Sequence, residues 1–404
     1  MTDAQPPSYP DARRLDLRED LHGHQVHDPY RWLEDASSDE TERWSGAQDE
    51  LFEAASADAP GREALRSRIA ALLGAGVVSA PSWRGDRQFF MRRTADQEHA
   101  VLLTVDPDGT ERVLIDPMTI DPSGTTTLDT WQPSKEGDLL AVQLSAGGTE
   151  DSDLTVMDVA TGQQVDGPID RTRYSPVAWL PDGEAYYYVR RLAPDVVPDG
   201  EEQFHRRVYL HRVGADPADD VLVFGDGLDK TNYYGVSVSM DGRWLSIGAA
   251  SGTAPRNDLW LADLSSSPLD APELRVVQQG VDASTSVHVG RDGRAYVFTD
   301  RDAPRNRLAV TTPENPAYEK WTDLVPEDEE AVLEGYAILD GPELPAGVLV
   351  CAWTRHAMGG LGTRPEGGTE AWLGWTGFAT PSQVLRYDVA AGSLDVWAEP
   401  PGTV

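Results

Sequence analysis

The sequence predicts an all-β fold: a seven-bladed β-propeller with an incomplete sixth blade, preceded by a short α-helical N-terminal arm. Three observations carry this. A β-type hairpin with a glycine-bearing turn recurs about every fifty residues. A second hairpin around a polar turn lies between most recurrences. Helical spacing is confined to roughly the first 75 residues.

The arm comes first. From Tyr30 to Leu73, apolar residues fall at helical intervals: Trp32 and Leu33, then Trp44, then Leu51 and Phe52, with Asp and Glu between them. Asp39 is placed to cap a helix starting at Glu40. Pro60-Gly61 breaks that helix before a second one over residues 62–73, and Gly74-Ala75-Gly76 ends the second. The domain reading is therefore an arm over residues 1–75 and a propeller over 76–404.

The turns of the repeat are centred on Gly85, Gly137, Gly183, Gly242, Gly293, Gly347 and Gly368, at intervals of 52, 46, 59, 51, 54 and 21 residues. A four-stranded blade uses about 40–50 residues, so each long interval holds an inner hairpin at the glycine turn and an outer hairpin. The outer turns read as Asp106-Pro107-Asp108-Gly109, Ala160-Thr161-Gly162, Gly214-Ala215-Asp216, Ser265-Ser266-Ser267 and Ala390-Ala391-Gly392. The last interval is short by roughly 25–30 residues of a full blade. The outer hairpin expected after Val348 to Trp353 is lacking, which points to a deletion near residues 354–362. A blade without its outer strands exposes an unpaired edge.

Composition narrows the function. A formal net charge of −34 argues against nucleic acid or an anionic membrane as partner. Only Lys135, Lys230 and Lys320 stand among 34 basic residues, an arginine excess that reads as codon usage rather than as a designed site. Cys351 is the single cysteine; it excludes an internal disulfide and, in the run Val348-Leu349-Val350-Cys351-Ala352-Trp353, reads as a buried thiol. Met1 to Arg14 lacks the apolar stretch of a signal peptide, and no window approaches ~18 uninterrupted apolar residues. The expectation is a cytoplasmic protein.

The octet Asp28-Pro29-Tyr30-Arg31-Trp32-Leu33-Glu34-Asp35, preceded by His22-Gly23 and Val26, resembles the N-terminal signature of the prolyl oligopeptidases. Asp300 to Leu308 and Phe378-Ala379-Thr380-Pro381-Ser382 resemble later-blade segments of that family, and the resemblance spans about residues 9–400, apart from a gap near 358–362. It implies an arm, a seven-bladed propeller and an α/β-hydrolase domain with a Ser-Asp-His triad, the propeller admitting short peptides cut after proline. The arm of that family packs on the hydrolase domain, which this sequence is expected to lack. The residues agree: no G-x-S-x-G elbow exists in the 404 residues, and Leu144 to Gly148 and Ala250-Ser251-Gly252 read as turns. No catalytic residue is therefore expected, and the chain alone is expected to be inactive. The resemblance also implies that Tyr174, Tyr233 and Thr253 contribute to a substrate pocket, where the aromatic rings bury an apolar residue of the peptide.

Other candidates read as structural. His22, His24 and His27 sit in what reads as a loop before Pro29, without metal spacing. Glu327 to Glu330 and Asp226 to Asp229 read as solvated connectors, and His205, His211, His288 and His356 as surface or packing residues. No metal and no cofactor are expected. The partners implied are short proline-containing peptides and the hydrolase domain, with neither nucleic acid nor membrane. Two rival readings remain: a free-standing propeller scaffold for protein interactions, and a non-functional truncated gene product.

Overall fold

The computed structural model describes residues 8–340, 348–353, 357–377 and 380–402. The chain divides into two compact units, Met1–Leu73 and Gly74–Val404.

In the first unit a hairpin of β1 (Arg18–Leu21) and β2 (His24–His27) precedes helices α1 (Asp39–Ser56) and α2 (Arg62–Leu73). The octet forms the entry to α1. Arg31 Nε donates to Asp28 at 2.6 Å, the Trp32 indole donates to the Arg13 carbonyl at 2.8 Å, and the Trp32 ring meets Trp44 edge-on at 6.1 Å. Ser38, not Asp39, is the cap: its hydroxyl accepts from Thr41 N at 3.3 Å. Asp39 already lies inside the helix, where it joins Glu40 and Glu42 in an acidic first turn favoured by the helix dipole. The histidine segment is not a loop. His22 and Gly23 form the hairpin turn, and His24 and His27 lie on β2, three residues apart and so on opposite faces.

Leu65, Ile69, Leu72 and Leu73 leave an apolar stripe of α2 exposed. Changing Leu65 and Ile69 together to glutamate is expected to alter the unfolding free energy by less than ~1 kcal/mol and to reduce self-association in sedimentation. A loss of several kcal/mol would place those side chains in a packed interface instead.

The second unit is a ring of antiparallel sheets, each wound outward from its inner strand. The first holds β3 (Val77–Val78), β4 (Ser82–Arg84), β5 (Arg87–Arg93), β6 (Val101–Val105) and β7 (Glu111–Ile115). Both β3 and β4 pair with β5; Pro81, which has no N–H to give a ladder, separates them. The second holds β8 (Thr126–Pro133), β9 (Leu139–Ala146), β10 (Asp153–Asp158) and β11 (Gln164–Ile169). The third holds β12 (Val177–Trp179), β13 (Ala185–Arg191), β14 (Arg206–Arg212) and β15 (Val221–Phe224). The fourth holds β16 (Asn232–Val238), β17 (Trp244–Ser251), β18 (Asp258–Asp263) and β19 (Leu274–Gln278). The fifth holds β20 (Thr285–Val289), β21 (Ala295–Thr299), β22 (Arg307–Thr311) and β23 (Thr322–Val325). Next, among the described residues, β24 (Leu333–Leu339) and β25 (Val348–Trp353) pair only with each other. The last sheet holds β26 (Ala357–Thr363), β27 (Glu370–Gly377), β28 (Thr380–Asp388) and β29 (Ser393–Ala398).

Among the described residues, six sheets of this unit thus carry four or five strands, and one carries two. The segment read as a deletion divides: residues 354–356 lie outside the described residues, and 357–362 form most of β26. The turn at Gly347, the segment Phe378-Ala379 and His356 also lie outside them.

Neighbouring sheets bury apolar faces against each other. Phe89 and Leu102 meet Leu140 and Val142; Leu154 and Ile169 meet Trp179 and Tyr186; Tyr187 and Val208 meet Leu245 and Ile247. Leu259 and Leu261 meet Val287 and Val297, and Leu308 meets Leu333. Trp83 with Trp372 and Val384 brings the last sheet onto the first. Glycine is required where backbones crowd. At Gly76, φ +71°, a Cβ would lie 2.3 Å from the Arg93 carbonyl; at Gly242, φ +77°, it would lie 2.3 Å from Pro181 of the preceding sheet's turn. The inner strands face a central cavity of about 480 Å³ whose lining includes Thr130, Ala178, Ser237 and His288.

Two further residues differ from their sequence reading. Cys351 is half-buried rather than fully buried: it packs at the margin of the cluster of Tyr296, Leu308 and Leu333, on the outer strand of its sheet among the described residues. His211 is neither a surface residue nor ordinary packing. It is fully buried between Asp220, 2.6 Å from Nδ1, and Asp166, 2.9 Å from Nε2. Carboxylates only accept, so both ring nitrogens carry protons. Tyr186 donates to Asp166 at 3.2 Å and Tyr188 to Asp220 at 2.6 Å, so the pair of carboxylates is held from two sides.

Candidate functional site

In an antiparallel meander the inner and outer hairpin turns share one end of the sheet, and the remaining connections share the other. That other end carries Tyr174, on the connection from β11 to β12, and Tyr233, at the start of β16. The structure brings these two together: their rings lie 6.3 Å apart at 49°. Thr253 sits exposed in the β17–β18 loop, two residues past Ser251, the register partner of Asn232. It therefore shares the end of the sheet with Tyr233 without joining the ring pair.

Side chains that sequence reasoning missed complete the site. Arg206 lies over the Tyr233 ring at 3.8 Å, only 2% exposed, with Nη1 donating to the Gln203 carbonyl at 3.0 Å. Arg173 lies over the Tyr174 ring at 4.9 Å and donates to Glu150 at 2.6 Å; the Tyr174 hydroxyl donates to the same carboxylate. Arg191 donates to Gln203 Oε1 at 2.6 Å and pairs with Asp151. The Nε atoms of Arg173, Arg191 and Arg206 are all buried without an acceptor. The arginine excess that reads as codon usage is here a cluster with positions of its own; the signal available in the sequence was Arg173 directly before Tyr174.

The electrostatics follow from burial and proximity. Burial, with Arg191 and Arg173 close by, holds the Arg206 guanidinium below the usual arginine range. The hydrogen bonds from Tyr174 and Arg173 hold the Glu150 carboxyl below the usual carboxylate range. Backbone strain concentrates here too. Of eight non-glycine residues with positive φ among those described, four lie at this end of the second and third sheets: Glu150, Arg171, Tyr174 and His205. His205 is fixed by Glu201 at 2.7 Å, which Lys230 also contacts. The result is a half-exposed aromatic pair, Tyr174 being 52% exposed, backed by guanidinium donors. Such a surface can bury an apolar ring and donate to carbonyls; among the described residues no nucleophile with an adjacent base lines it.

A family model described as "Prolyl oligopeptidase, N-terminal beta-propeller domain" matches residues 10–342. The chain belongs to the prolyl oligopeptidase family. Within that family it is similar to the prolyl endopeptidase of Elizabethkingia meningoseptica, 28% identical over 97% of this chain and 57% of that protein. It is 25% identical to prolyl oligopeptidase A of Amanita bisporigera, over 97% of this chain and 58% of the relative. A solved prolyl endopeptidase structure superposes with a TM-score of 0.86 at 30% identity, covering 97% of this chain and 60% of the other. Prolyl oligopeptidase B from Galerina marginata, solved with a bound 35mer hydrolysis and macrocyclization substrate, shares the fold at a TM-score of 0.83 and 20% identity. The chain therefore spans about three-fifths of the length of these relatives and corresponds to their propeller portion. No helix among the described residues is long and apolar enough to cross a membrane.

Proposed function

We propose that this chain is the substrate-gating part of a prolyl oligopeptidase-type serine endopeptidase that cleaves short peptides after proline. The observation that carries the reading is the Tyr174–Tyr233 pair backed by Arg173 and Arg206 on one rim of a ring whose family is shown. In this reading the ring has seven blades, the pair β24–β25 being the sixth without its outer hairpin. The exposed stripe on α2 is the surface that meets an α/β-hydrolase domain carrying the Ser-Asp-His triad. Residues 1–75 are the arm and 76–404 the propeller. Thr253 flanks the bound peptide from the fourth sheet, and the lone Cys351 fits a reducing, cytoplasmic compartment.

The rings supply apolar contact for a peptide residue, and the arginines supply donors for its carbonyls. The test is peptide binding by the purified chain, followed by tyrosine-region chemical shifts on titration with a proline-containing tetrapeptide. Tyr174→Ala and Tyr233→Ala are each expected to weaken binding about tenfold, and Thr253→Ala by less than threefold. A chain that binds the peptide with both rings removed as tightly as before contradicts the assignment.

A further inference from the structure

We propose that the turn-side end of the central channel is an oxyanion-binding site built from Lys135 and Arg84. It lies at the end of the sheets opposite the tyrosine pair and does not depend on the function proposed above.

Lys135, on the turn after β8, reaches across to the fourth sheet. Its Nζ donates to the carbonyls of Val238 at 3.1 Å and Ser239 at 2.6 Å. Arg84, at the end of β4, donates from Nε to the Ser134 carbonyl at 2.8 Å and from Nη1 to the Trp83 carbonyl at 2.6 Å. Both side chains line the 480 Å³ cavity. Neither forms an ion pair among the described residues. One N–H of Lys135 and the whole Nη2 group of Arg84 donate to no described protein atom, so two adjacent cations present spare donors to one cavity.

The surrounding carboxylates offset part of this charge at a distance, but burial outweighs them and each is fastened to a turn rather than ion-paired with either cation. Glu136 accepts from Asp182 N at 2.8 Å and Glu366 from Gly85 N at 2.9 Å. Asp241 accepts from the Ser239 hydroxyl at 2.5 Å and from Arg243 N at 3.1 Å. The contrast with the adjoining cavity is informative. There Arg291 pairs with Asp340, and Arg364 lies 3.7 Å from Glu370 and 3.8 Å from Asp86. The remaining titratable group of the first cavity, His288, is held below the usual imidazole range by burial and adds no charge near neutrality.

Two buried like charges destabilise each other. Burial, then the neighbouring Arg84, push the Lys135 ammonium down to about 8, and burial lowers Arg84 as well. An oxyanion accepting from both removes that penalty and uses the idle donors. The chain carries a net charge of −34, so no long-range field delivers an anion here and the recognition is local. Two ligands share this chemistry: an inorganic phosphate, and the terminal carboxylate of a short peptide entering the channel.

The experiment titrates the full chain with inorganic phosphate against chloride at matched ionic strength, by calorimetry and amide shifts. In parallel it titrates one tripeptide in free-acid and amidated forms. Phosphate is expected to bind with Kd on the order of 1 mM and to shift the amides of Lys135, Arg84 and Ser239. Lys135→Met and Arg84→Gln each weaken it at least tenfold, whereas Lys135→Arg retains it. A free-acid peptide binding at least tenfold better than its amide, and displaced by phosphate, identifies a peptide terminus as the occupant. Equal binding of both peptides identifies a free phosphoryl anion. If wild type shows neither phosphate binding nor discrimination between the two peptides, the site does not exist. The same holds if the shifts map elsewhere on the wild-type chain, a readout that stands even if Lys135→Met fails to fold.

Discussion

Replacing His211 by alanine is expected to destabilise the ring by about 3–5 kcal/mol, because the change leaves Asp166 and Asp220 buried without their shared cation. Urea unfolding followed by tryptophan fluorescence should show the midpoint falling, and His211→Gln, which keeps one donor, should lose less. The pH dependence has a defined sign. Burial opposes the imidazolium, but the hydrogen bonds to Asp166 and Asp220 outweigh it and hold the His211 pKa up to about 9, above its ordinary 6.5. Its contribution is therefore fully present below about pH 6.5 and is lost as pH rises through about 9. On the acid side, burial would raise Asp166, yet the His211 bond keeps it below the usual carboxylate value. That contribution is present above the ordinary carboxylate pKa and disappears as pH falls through the lowered one. The two shifts describe one ion pair and count once. In His211→Ala the loss of stability between pH 6.5 and 9 should flatten. An unchanged midpoint at pH 6 would mean the network contributes nothing net.

Trp372→Ala is expected to cost a further large amount, about 3–5 kcal/mol, as in other buried large-to-small aromatic changes. Trp372 is 1% exposed and lies 5.0 Å from Trp83, with Arg364 stacked 3.6 Å from the Trp83 ring. Position makes this contact more than an ordinary core pair. Every other sheet is joined to the next by the chain itself, whereas the last meets the first through noncovalent contacts such as these and the bond from Gly402 N to the Ala75 carbonyl, 2.8 Å. Hydrogen exchange should therefore accelerate in β4–β5 and β26–β28 before it does in the fourth sheet. Trp260→Ala, buried between the third and fourth sheets, should destabilise without opening the seam. Uniform acceleration around the ring in Trp372→Ala would show that the seam is not its weak point.

The repeat was legible because both signals that make a sheet meander are local. Glycine at positive φ marks the inner turns at Gly85, Gly137, Gly183, Gly242 and Gly293, and polar turns mark the outer hairpins. The short last interval was likewise readable and corresponds to the pair β24–β25. Less legible was whatever depends on partners far apart in sequence. His211 draws Asp166 from 45 residues away, and nothing in its own segment announces a buried ion. Arg206 and Tyr233 meet across two sheets, so an arginine that looks compositional acquires a place only in the fold. The cap shifted from Asp39 to Ser38 because both residue types suit that position and only the backbone distinguishes them. Of the three residues expected at the pocket, the tyrosines could be paired by their similar places, Tyr174 just before one inner strand and Tyr233 at the start of the next. Thr253 had no such guide.

We propose that these residues admit peptides to a reaction centre that they do not themselves supply. The most direct measurement is hydrolysis of a proline-containing chromogenic peptide by the purified 404-residue chain, with and without a serine-directed fluorophosphonate. No turnover above buffer and no covalent label are expected, since no G-x-S-x-G serine exists in the sequence. Turnover abolished by stoichiometric labelling of one serine would contradict it.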